Sequence, residues 1–388
     1  MKRSLLLHSL AAVSLAASAG AQAEQVSDHI SINGFASIVA GMTLNEGTWA
    51  DNQTKAKFNA DQANAGIYDD DLGFSPDSMY GLQIGVDLGD GLKLTGQITG
   101  NGGSEYDAKV SWAYLTYELD ENWTVLAGRQ RLPLFFYSDF SDVAYAYHWI
   151  RIPTEVNVPV DTLDGVQLRY ETNFGDWDAR VQAYTGTSES SSEFFGEFGL
   201  KDSLGFVFYA NNDWLQLRAT VLDTNFYADA LESNGQGSDD PVGVLFSGLA
   251  AHMDFGTYFV VAEMTNSKFD DALVGSGTES VDSYYVSAGY RINSLTPHIT
   301  YSASEEELVN AVNADNFDGV NLSTLVPIGD ATRKRESITL GLRWDFHPKA
   351  AMKAEYQMRS DKSDQAVTDA DGDRLETDLL TVGIDVTF

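Results

Sequence analysis

Cysteine is absent from the 388 residues, and proline is scarce, with eight residues in all. The lack of cysteine excludes disulfide scaffolds, thiolate nucleophiles, and zinc or iron–sulfur sites held by thiolates. Basic residues are also few, because 24 Lys and Arg stand against 57 Asp and Glu, which gives a formal net charge of −33. This balance excludes a general nucleic-acid-binding protein, whose surface has to be basic to displace phosphate counterions.

Long hydrophobic runs are missing after the N-terminus, so the chain has no candidate for a membrane-spanning helix of ~20 apolar residues. At the N-terminus itself, Lys2 and Arg3 precede a mostly apolar run that extends to Ala17, and Ala21-Gln22-Ala23 follows with small residues at alternate positions. This order is typical of a secretory signal peptide, and the run is too short to span a membrane. We predict that residues 1–23 are the signal peptide and that residues 24–388 form a single domain.

The motifs of the common enzyme classes are missing as well. The histidines show no His-x3-His or Glu-x-x-His spacing, and the sequence has neither a Gly-x-Ser-x-Gly elbow nor a phosphate-binding loop. Residues 369–373 place aspartates at alternate positions, but they lack the frame of a calcium-binding loop. We therefore predict no catalytic residues, no metal site and no cofactor, and we do not expect an enzyme.

What the mature chain does show is alternation with a period of two. In one example, Ile338, Leu340, Leu342 and Trp344 alternate with polar or small residues. Such segments are β-strands with one apolar and one polar face. About sixteen of them are predicted, at residues 29–43, 78–88, 91–100, 106–118, 122–131, 164–174, 176–186, 202–211, 214–224, 243–255, 257–267, 282–293, 295–304, 335–346, 349–360 and 377–388.

The connections alternate between tight turns and long polar segments, which is the pattern of an up-and-down meander whose even number of strands allows closure. The long segments are residues 44–77, 132–163, 187–201, 225–242, 268–281, 305–334 and 361–376, whereas 101–105 is short. Aromatic residues lie near the tight turns, as in the girdle of a membrane barrel: Tyr117, Trp123, Trp177, Trp214, Tyr258, Phe346 and Phe388. A soluble barrel or a pair of sandwiches would need bulky inward side chains, but the inward positions are polar. The prediction is an all-β, transmembrane antiparallel β-barrel.

Two local segments carry a family resemblance. Ala127-Gly128-Arg129-Gln130 ends the predicted fifth strand just before the long third connection, and Ile384-Asp385-Val386-Thr387-Phe388 ends the chain. In these segments and in its whole architecture, the chain resembles the non-specific diffusion porins of the Gram-negative outer membrane. Two departures are visible, because the third loop lacks the family's Pro-Glu-Phe-Gly stretch and the second loop, residues 101–105, is too short for the family's intersubunit latch.

The resemblance implies a homotrimer, a third loop folded into the pore, and passive diffusion of small hydrophilic solutes and ions. It also implies location in the outer membrane among lipid and lipopolysaccharide, and a C-terminal insertion signal at Phe388 that the barrel assembly machinery reads. The alternative is a channel selective for an oligosaccharide or an organic acid. A more distant alternative is a barrel enzyme or an adhesin.

Alternation also assigns side chains to the lumen. It predicts a basic wall at the pore constriction, formed by Lys93, Lys109, Arg129, Arg131, Arg169, Arg180 and Arg218. Arg291, Arg343, Lys353 and Arg359 follow on later strands, and the predicted acidic lumen residues are Asp87, Asp107, Glu171, Asp178, Glu263, Asp345, Glu355 and Asp385. Arg129, Arg169 and Arg180 are expected to form one basic patch. Opposed charges across a narrow aqueous passage order permeants by charge and dipole.

The third loop, about residues 133–162, is predicted to supply the opposing charges at the constriction. These residues are Asp139, Asp142, Arg151, Glu155 and Asp161. The loop also carries many aromatic residues, which either anchor it to the barrel interior or form a stacking surface for solutes. Other long loops are strongly acidic, including residues 44–77 and 305–334. With a nearly neutral constriction, this acidic mouth predicts a weak preference for cations.

Overall fold

The computed structural model describes residues 24–27, 29–45, 58–59, 66–156, 158, 160–192, 196–228, 241–270, 278–312, 327–362 and 376–388, which form one closed antiparallel β-barrel. The predicted signal peptide, residues 1–23, lies outside the described residues, as do parts of several predicted loops. Among the described residues, none of the helical segments has the length and apolar composition needed to cross a membrane.

Within these described ranges, sixteen strands build the barrel, as predicted. They are β1 (Ile30–Thr43), β2 (Met79–Gly89), β3 (Leu92–Asn101), β4 (Lys109–Glu118), β5 (Trp123–Arg131), β6 (Thr162–Phe174), β7 (Trp177–Ser192), β8 (Gly196–Asn211), β9 (Leu215–Ala228), β10 (Val242–Asp254), β11 (Tyr258–Phe269), β12 (Thr278–Tyr290), β13 (Leu295–Val312), β14 (Pro327–His347), β15 (Ala350–Asp361) and β16 (Glu376–Thr387). Each strand pairs with the next in sequence, and β16 pairs with β1 to close the sheet.

Short elements accompany the barrel. Glu24–Ser27 folds back on the start of β1, and Phe58–Asn59 pairs with Ile67–Tyr68 in a small hairpin within the first loop. Short 3₁₀ turns occur at Gly102–Ser104, Ser138–Phe140 and Ala144–Ala146. The last two of these turns belong to the third loop, which connects β5 to β6.

The two faces of the sheet are inverted relative to a soluble protein. On β14, Ile338, Leu340 and Leu342 face outward with 42–45% of their surface exposed, whereas Ser337 and Thr339 face inward and are buried. An apolar exterior is stable only in contact with lipid, so the exposed apolar belt identifies the membrane-facing surface. On β14 the alternation read from the sequence is therefore confirmed in both period and direction.

The tight turns are built by short polar side chains. Asp87 accepts a hydrogen bond from the backbone N–H of Gly89 at 2.9 Å, and Asp254 accepts one from Gly256 at 2.9 Å. Gly89 and Gly256 have φ angles of +84° and +79°, a backbone conformation that glycine adopts without a steric penalty. We call this end of the barrel the turn end and the opposite end the loop end.

The described parts of two predicted loops are mostly strand. Residues 187–201 and 305–334 were expected to be polar loops, but β7 continues to Ser192, β8 begins at Gly196, β13 continues to Val312 and β14 begins at Pro327. The periodic hydrophobic signal ends because these segments extend beyond the apolar belt, where neither face has to be apolar. The backbone ladder continues, because hydrogen bonding between strands does not depend on hydrophobic alternation.

The chain terminus completes the closure at the turn end. The backbone N–H of Gly34 donates to the carbonyl of Phe388 at 2.9 Å, and the N–H of Phe388 donates to the carbonyl of Gly34 at 2.9 Å. The Phe388 ring covers Gly34 so closely that a Cβ at this glycine would lie 2.1 Å from Cζ of the ring. Phe388 therefore fixes the register between the first and last strands.

Deletion of Phe388 is expected to lower the yield of folded barrel, because it removes both hydrogen bonds and the ring that covers Gly34. Gel migration of unheated samples in detergent measures the folded fraction. Phe388→Tyr is the matched control, since it keeps the backbone and the ring, and it should fold normally. A normal folded yield after the deletion would contradict this role of the terminus.

Candidate functional site

The third loop, residues 132–161, turns into the barrel and crosses its interior, as predicted. Its two ends are joined by a hydrogen bond from the N–H of Leu132 to the carbonyl of Asp161 at 2.9 Å. At its far point, the hydroxyl of Tyr145 donates to the carbonyl of Pro348 at 2.9 Å, and Pro348 lies in the tight turn between β14 and β15. The loop therefore reaches from the loop end to the turn end of the lumen.

Aromatic residues attach the loop to one side of the wall. The ring of Tyr137 lies 5.4 Å from that of Trp149, and Trp149 lies 5.5 Å from Tyr285 of β12 in an edge-to-face arrangement. Trp149 is 1% exposed, and Tyr285 and Val261 beneath it are fully buried. These rings act as anchors, and their burial leaves them no free face on which a solute could stack.

Charged side chains of the wall bind the backbone of the loop. Lys353 Nζ donates to the carbonyls of Ala144 at 2.7 Å and Trp149 at 2.5 Å. Arg343 Nη1 donates to the carbonyls of Tyr145 at 2.7 Å and Tyr147 at 2.6 Å. A buried loop without regular secondary structure leaves backbone groups unpaired, and such groups are costly unless a side chain satisfies them.

Wall carboxylates complete this pairing by accepting from the amides of the loop. The N–H of Phe136 donates to Glu263 Oε1 at 2.7 Å, and the N–H of Ile150 donates to Glu355 Oε1 at 2.8 Å. Arg218 on β9 adds a bond to the carbonyl of Pro133 at 2.6 Å. Cationic side chains of the wall thus donate to carbonyls of the loop, and carboxylates of the wall accept from amides of the loop. These hydrogen bonds hold the loop in one position.

Two residues predicted to face the constriction instead lie in this buried contact. Glu155 accepts hydrogen bonds from the hydroxyls of Ser302 at 2.8 Å and Ser337 at 2.5 Å, with Arg359 Nη2 at 3.3 Å. Arg151 Nε donates to Asp77 at 2.9 Å. These two third-loop side chains are removed from the aqueous space, because Glu155 binds the wall and Arg151 binds the first loop.

The first loop covers this contact at the loop end. Tyr68 donates to Asp77 at 2.7 Å, and the guanidinium of Arg359 lies 3.9 Å from the centre of the Phe58 ring. Burial, with the charge of Asp77 nearby, raises the pKa of Tyr68 well above its usual value, so the phenol stays protonated and remains the donor. The first and third loops together fill the side of the lumen toward β15 and β16.

The remaining aqueous space lies on the opposite side. Lumen-facing residues of β9–β13 are buried beneath the third loop, among them Arg218, Thr220, Glu263, Ser287 and Thr300. Those of β2–β7 include many that are partly exposed: Gln83, Thr95, Tyr114, Thr116, Thr124, Arg169, Glu171, Asp178 and Arg180. Residues 139–142 of the loop are also partly exposed and face this wall. The passage therefore runs between residues 139–142 of the third loop and the wall formed by β2–β7.

Three arginines gather at this passage around one carboxylate of the loop. Arg180 Nη2 lies 3.6 Å from Asp139 Oδ2, and Asp139 also interacts electrostatically with Arg218 and Arg169. The guanidinium of Arg180 rests 5.2 Å from the centre of the Tyr209 ring on β8. Arg169 and Arg180 lie on adjacent strands, β6 and β7, so this part of the predicted basic patch is assembled in the structure.

Arg131 forms a second contact between wall and loop. It pairs with Asp142, and its Nη1 donates to Asp161 at 2.6 Å. Its guanidinium lies 5.1 Å from the centre of the Trp112 ring. Gln97 Nε2 is 3.5 Å from Asp142 on the same side. Arg131, Asp142 and Asp161 thus lie together beside the passage, with Asp161 largely in solvent.

Arg129 does not join the patch, contrary to the alternation read from the sequence. It pairs with Asp164, donating from Nε at 2.9 Å and from Nη2 at 2.6 Å. Its partners on the neighbouring strands are Ala113 and Asp164, which share a face of the sheet with the exposed Leu115 and Val166. The next residue, Gln130, is buried on the lumen face. Arg129 therefore lies on the outer face of the barrel.

The remaining predicted wall residues lie away from the arginine cluster. Lys93 pairs with Glu118 at 2.7 Å near the turn end. Lys109 lies at the loop end of β4, opposite Thr99, and is exposed. The sequence placed Lys353, Arg343, Glu263 and Glu355 in the lumen, but it gave no signal that they bind the third loop, since alternation assigns a face and not a partner.

Replacing Arg343 by alanine is expected to loosen the third loop while the barrel stays closed. The variant loses two hydrogen bonds from a charged donor to loop carbonyls, each of which contributes about 1.5–3 kcal/mol. Chymotrypsin should then cleave the loop at its aromatic residues several-fold faster. Arg291→Ala is the matched control, because Arg291 binds Asp254 and Gly256 at the turn end. Equal resistance of both variants would contradict the anchoring role of Arg343.

Comparison with known proteins agrees with this architecture. A profile of the Gram-negative porin family matches residues 9–365. No curated protein sequence matches the chain. Among solved structures, the anion-selective porin from Comamonas acidovorans shares 15% identity over 92% of this chain and 99% of its own, with a TM-score of 0.57.

Two further outer-membrane proteins show the same fold. The channel DcaP of Acinetobacter baumannii shares 15% identity over 92% of this chain and 97% of its own, with a TM-score of 0.56. OmpF of Salmonella typhi, solved in complex with daunomycin, shares 13% identity over 92% of this chain and 97% of its own, with a TM-score of 0.56. With its family profile, its sixteen-stranded barrel and its internal third loop, the chain belongs to the Gram-negative porin family and is a channel of the outer membrane.

Proposed function

We propose that this porin passes small hydrophilic solutes by diffusion, with a preference for anions set by the arginine cluster at Asp139. The passage runs between residues 139–142 of the third loop and the wall of β2–β7. The observation that carries the proposal is the position of Arg169, Arg180 and Arg218 around the carboxylate of Asp139 on the third loop. Arg131 and Asp142 form the other side of the same constriction.

The preference follows from which charges are compensated. Lys353 pairs with Asp385 at 2.8 Å, Arg291 pairs with Asp254 at 2.7 Å, and Arg343 pairs with Asp345 at 2.7 Å. Within the described residues, neither Arg169 nor Arg218 has a carboxylate within ion-pair distance. Arg169 is partly exposed beside the passage, and Arg218 is buried under the third loop next to Asp139. Glu171 lies opposite Arg180 in the ladder, so the three guanidinium groups of the cluster exceed its two carboxylates, Asp139 and Glu171, by one positive charge.

The anion preference proposed here differs from the weak cation preference that the sequence predicts. That prediction counted paired and unpaired charges of the lumen alike, but paired charges contribute little field in a narrow passage. The acidic outer loops act on ions only within the screening length, which is ~8 Å at physiological salt. Charges in the constriction act on every permeating ion, because the low-dielectric wall focuses their field.

The family also supports an assembly and an export route. We propose a homotrimer, whose contacts do not use the family's intersubunit latch because the second loop, between β3 and β4, is only residues 102–108. Residues 1–23 would direct export, and Phe388 would act as the insertion signal for the barrel assembly machinery. Lipid and lipopolysaccharide would surround the apolar belt. We propose no catalytic role, since the lumen groups described above are engaged in loop anchoring or line the passage.

The salt dependence of ion selectivity tests the proposal. At 1 M salt the screening length is ~3 Å, so the acidic mouth is screened and the arginine cluster should give anion preference. At 0.01 M salt the length is ~30 Å, and the preference should weaken or shift toward cations. The zero-current potential across a tenfold salt gradient measures the ion preference in each salt range. Cation preference at 1 M salt would overturn the proposal.

Substitutions separate the constriction from the outer face. Arg169→Ala and Arg180→Ala should each move the zero-current potential toward cations, because each removes a positive charge from the passage. Arg129→Ala is the matched control, since it removes the same charge from the outer face and should leave the potential unchanged. A shift in Arg129→Ala as large as that in Arg169→Ala would show that the passage has been misplaced.

A further inference from the structure

Three histidines that are far apart in the sequence converge beneath the third loop. They are His148 of the loop, His252 of β10 and His298 of β13. The rings of His148 and His298 lie 4.7 Å apart. The His148 ring also lies 3.9 Å from that of Trp149 and 4.7 Å from that of Phe259, and the His252 ring lies 6.0 Å from Phe259. His148 and His298 are both buried, so the two imidazoles pack like aromatic rings in a contact that excludes bulk water.

The hydrogen bonds of this contact suit a neutral imidazole at His148. Trp149 Nε1 donates to Thr300 Oγ1 at 2.8 Å. Thr300 Oγ1 lies 2.7 Å from Ser287 Oγ, which lies 2.8 Å from His148 Nε2. An indole N–H only donates, so these bonds run in one direction from Trp149 to His148 when Nε2 accepts the last of them. A neutral imidazole can accept at Nε2, whereas an imidazolium cannot.

His298 offers two ring nitrogens that have no hydrogen-bond partner among the described residues. Glu355 Oε1 lies 3.8 Å from His298 Nε2, which is too long for a hydrogen bond. The same oxygen accepts from the N–H of Ile150 in the third loop at 2.8 Å. A proton on His298 would therefore draw Glu355 toward the imidazolium and away from the loop.

The wall on either side of His148 is already cationic. Arg343 and Lys353 hold the carbonyls of the residues before and after it. Asp345 pairs with Arg343 at 2.7 Å and Asp385 pairs with Lys353 at 2.8 Å, so neither carboxylate is left for an imidazolium. A proton on His148 would place a further positive charge beside these two cations.

Among the described residues, none of the other titratable groups around the rings is a free carboxylate. Asp254 of β10 pairs with Arg291 at 2.7 Å. Glu263 of β11 accepts from the N–H of Phe136 at 2.7 Å and from the hydroxyl of Tyr285 at 3.1 Å. The remaining groups are His252 of β10, Tyr137, Tyr145 and Tyr147 of the loop, and Arg151, which binds Asp77.

Acid shifts the balance between anchored and released loop. Burial beneath the loop, with His298 and Lys353 nearby, holds the pKa of His148 well below its usual value of about 6.5. In a released loop the imidazole returns to that usual value. The anchored loop is therefore most stable above about pH 6.5 and loses stability as the pH falls below it. Each unit of pH below this value raises the ratio of released to anchored loop by up to about tenfold for each histidine that takes up a proton.

We propose that His148 and His298 form an acid-sensitive latch, which releases the third loop from the wall when the two imidazoles take up protons and thereby narrows the passage. The wall of β10–β15 closes one side of the loop, so a released loop moves toward the passage beside β2–β7. Residues 139–142 already stand in that passage and are held there by Arg131 through Asp142. This inference goes beyond the proposed function, because it does not depend on the ion preference of the channel.

Single-channel conductance on either side of the ordinary pKa of histidine tests the latch, at about pH 7.5 and about pH 5. Recordings in planar bilayers use ~1 M potassium chloride, so that the charges of the outer loops are screened. The conductance of the wild type should fall several-fold in acid and recover when the pH is raised. A conductance that stays constant or rises in acid would overturn the latch.

Replacing both histidines separates the latch from other groups that titrate in acid. The double variant His148→Gln with His298→Gln has amides that take up no proton, so its conductance should stay the same at both pH values. His347→Gln is the matched control, because His347 is exposed in the turn between β14 and β15, and it should respond to acid as the wild type does. An equal fall in the double variant and the wild type would overturn the latch, because carboxylates of the passage would then account for it.

A single substitution that keeps the aromatic packing gives a second test. His148→Phe retains a ring beside Trp149 and Phe259 and cannot be protonated, so its acid response should be weaker than that of the wild type. Gel migration of unheated samples shows that each variant forms the folded barrel. A response of His148→Phe as large as that of the wild type would count against the latch.

Proteolysis shows whether the loop itself is released. Thermolysin should cleave the wild type within residues 132–161 several-fold faster in acid than at neutral pH, and fragment masses locate the cuts. The double variant, digested in parallel, corrects for the effect of pH on the protease and should show no such increase. Equal cleavage of the wild type and the double variant in acid would overturn the latch. Failure of the proposed function is read separately, from the zero-current potential at neutral pH.

Discussion

The structure depends on one constraint: an irregular loop inside a barrel has to have its backbone polar groups paired. The third loop meets this constraint with charged side chains of the wall. Lys353 and Arg343 cap carbonyls, while Glu263 and Glu355 accept from amides. A charged donor or acceptor forms a stronger bond than a neutral one, so a few residues are enough to hold the loop. The aromatic cluster around Trp149 adds an apolar contact on the same side.

This pairing decides where the channel runs and what charge it carries. The side chains that bind the loop no longer act on solutes, although they lie in the lumen. The side of the barrel that the loop does not cover keeps Arg169 and Arg180 partly exposed, with Asp139 facing them. The proposed ion selectivity would follow from loop anchoring, because the anchoring determines which charges of the lumen remain uncompensated.

The exterior follows a separate requirement, set by the membrane. Apolar side chains such as Ile338 and Leu340 are exposed on the outer face. Aromatic residues gather at the turn end, where Trp214 stacks with Phe255 at 5.6 Å and Phe255 with Tyr258 at 4.7 Å. These rings lie where the apolar belt ends, which is the level at which their partly polar character is most stable. The residues of the interior and of the exterior can thus be substituted independently, because alternate residues of each strand face the lumen and the lipid.

The sequence by itself determined the number of strands, their order and, apart from Arg129, the faces of their residues, because a membrane barrel requires alternation within each strand and neighbours in sequence pair with each other. It also identified the third loop as the segment that enters the pore, through its family resemblance. Tertiary structure alone decided the partners: Arg129 pairs with Asp164 on the outer face, and Glu155 and Arg151 are buried in the loop–wall contact. Alternation is a property of neighbouring residues, whereas these pairs join residues far apart in the chain. The distance between Asp139 and Arg180 arises only when the loop is anchored across the closed barrel.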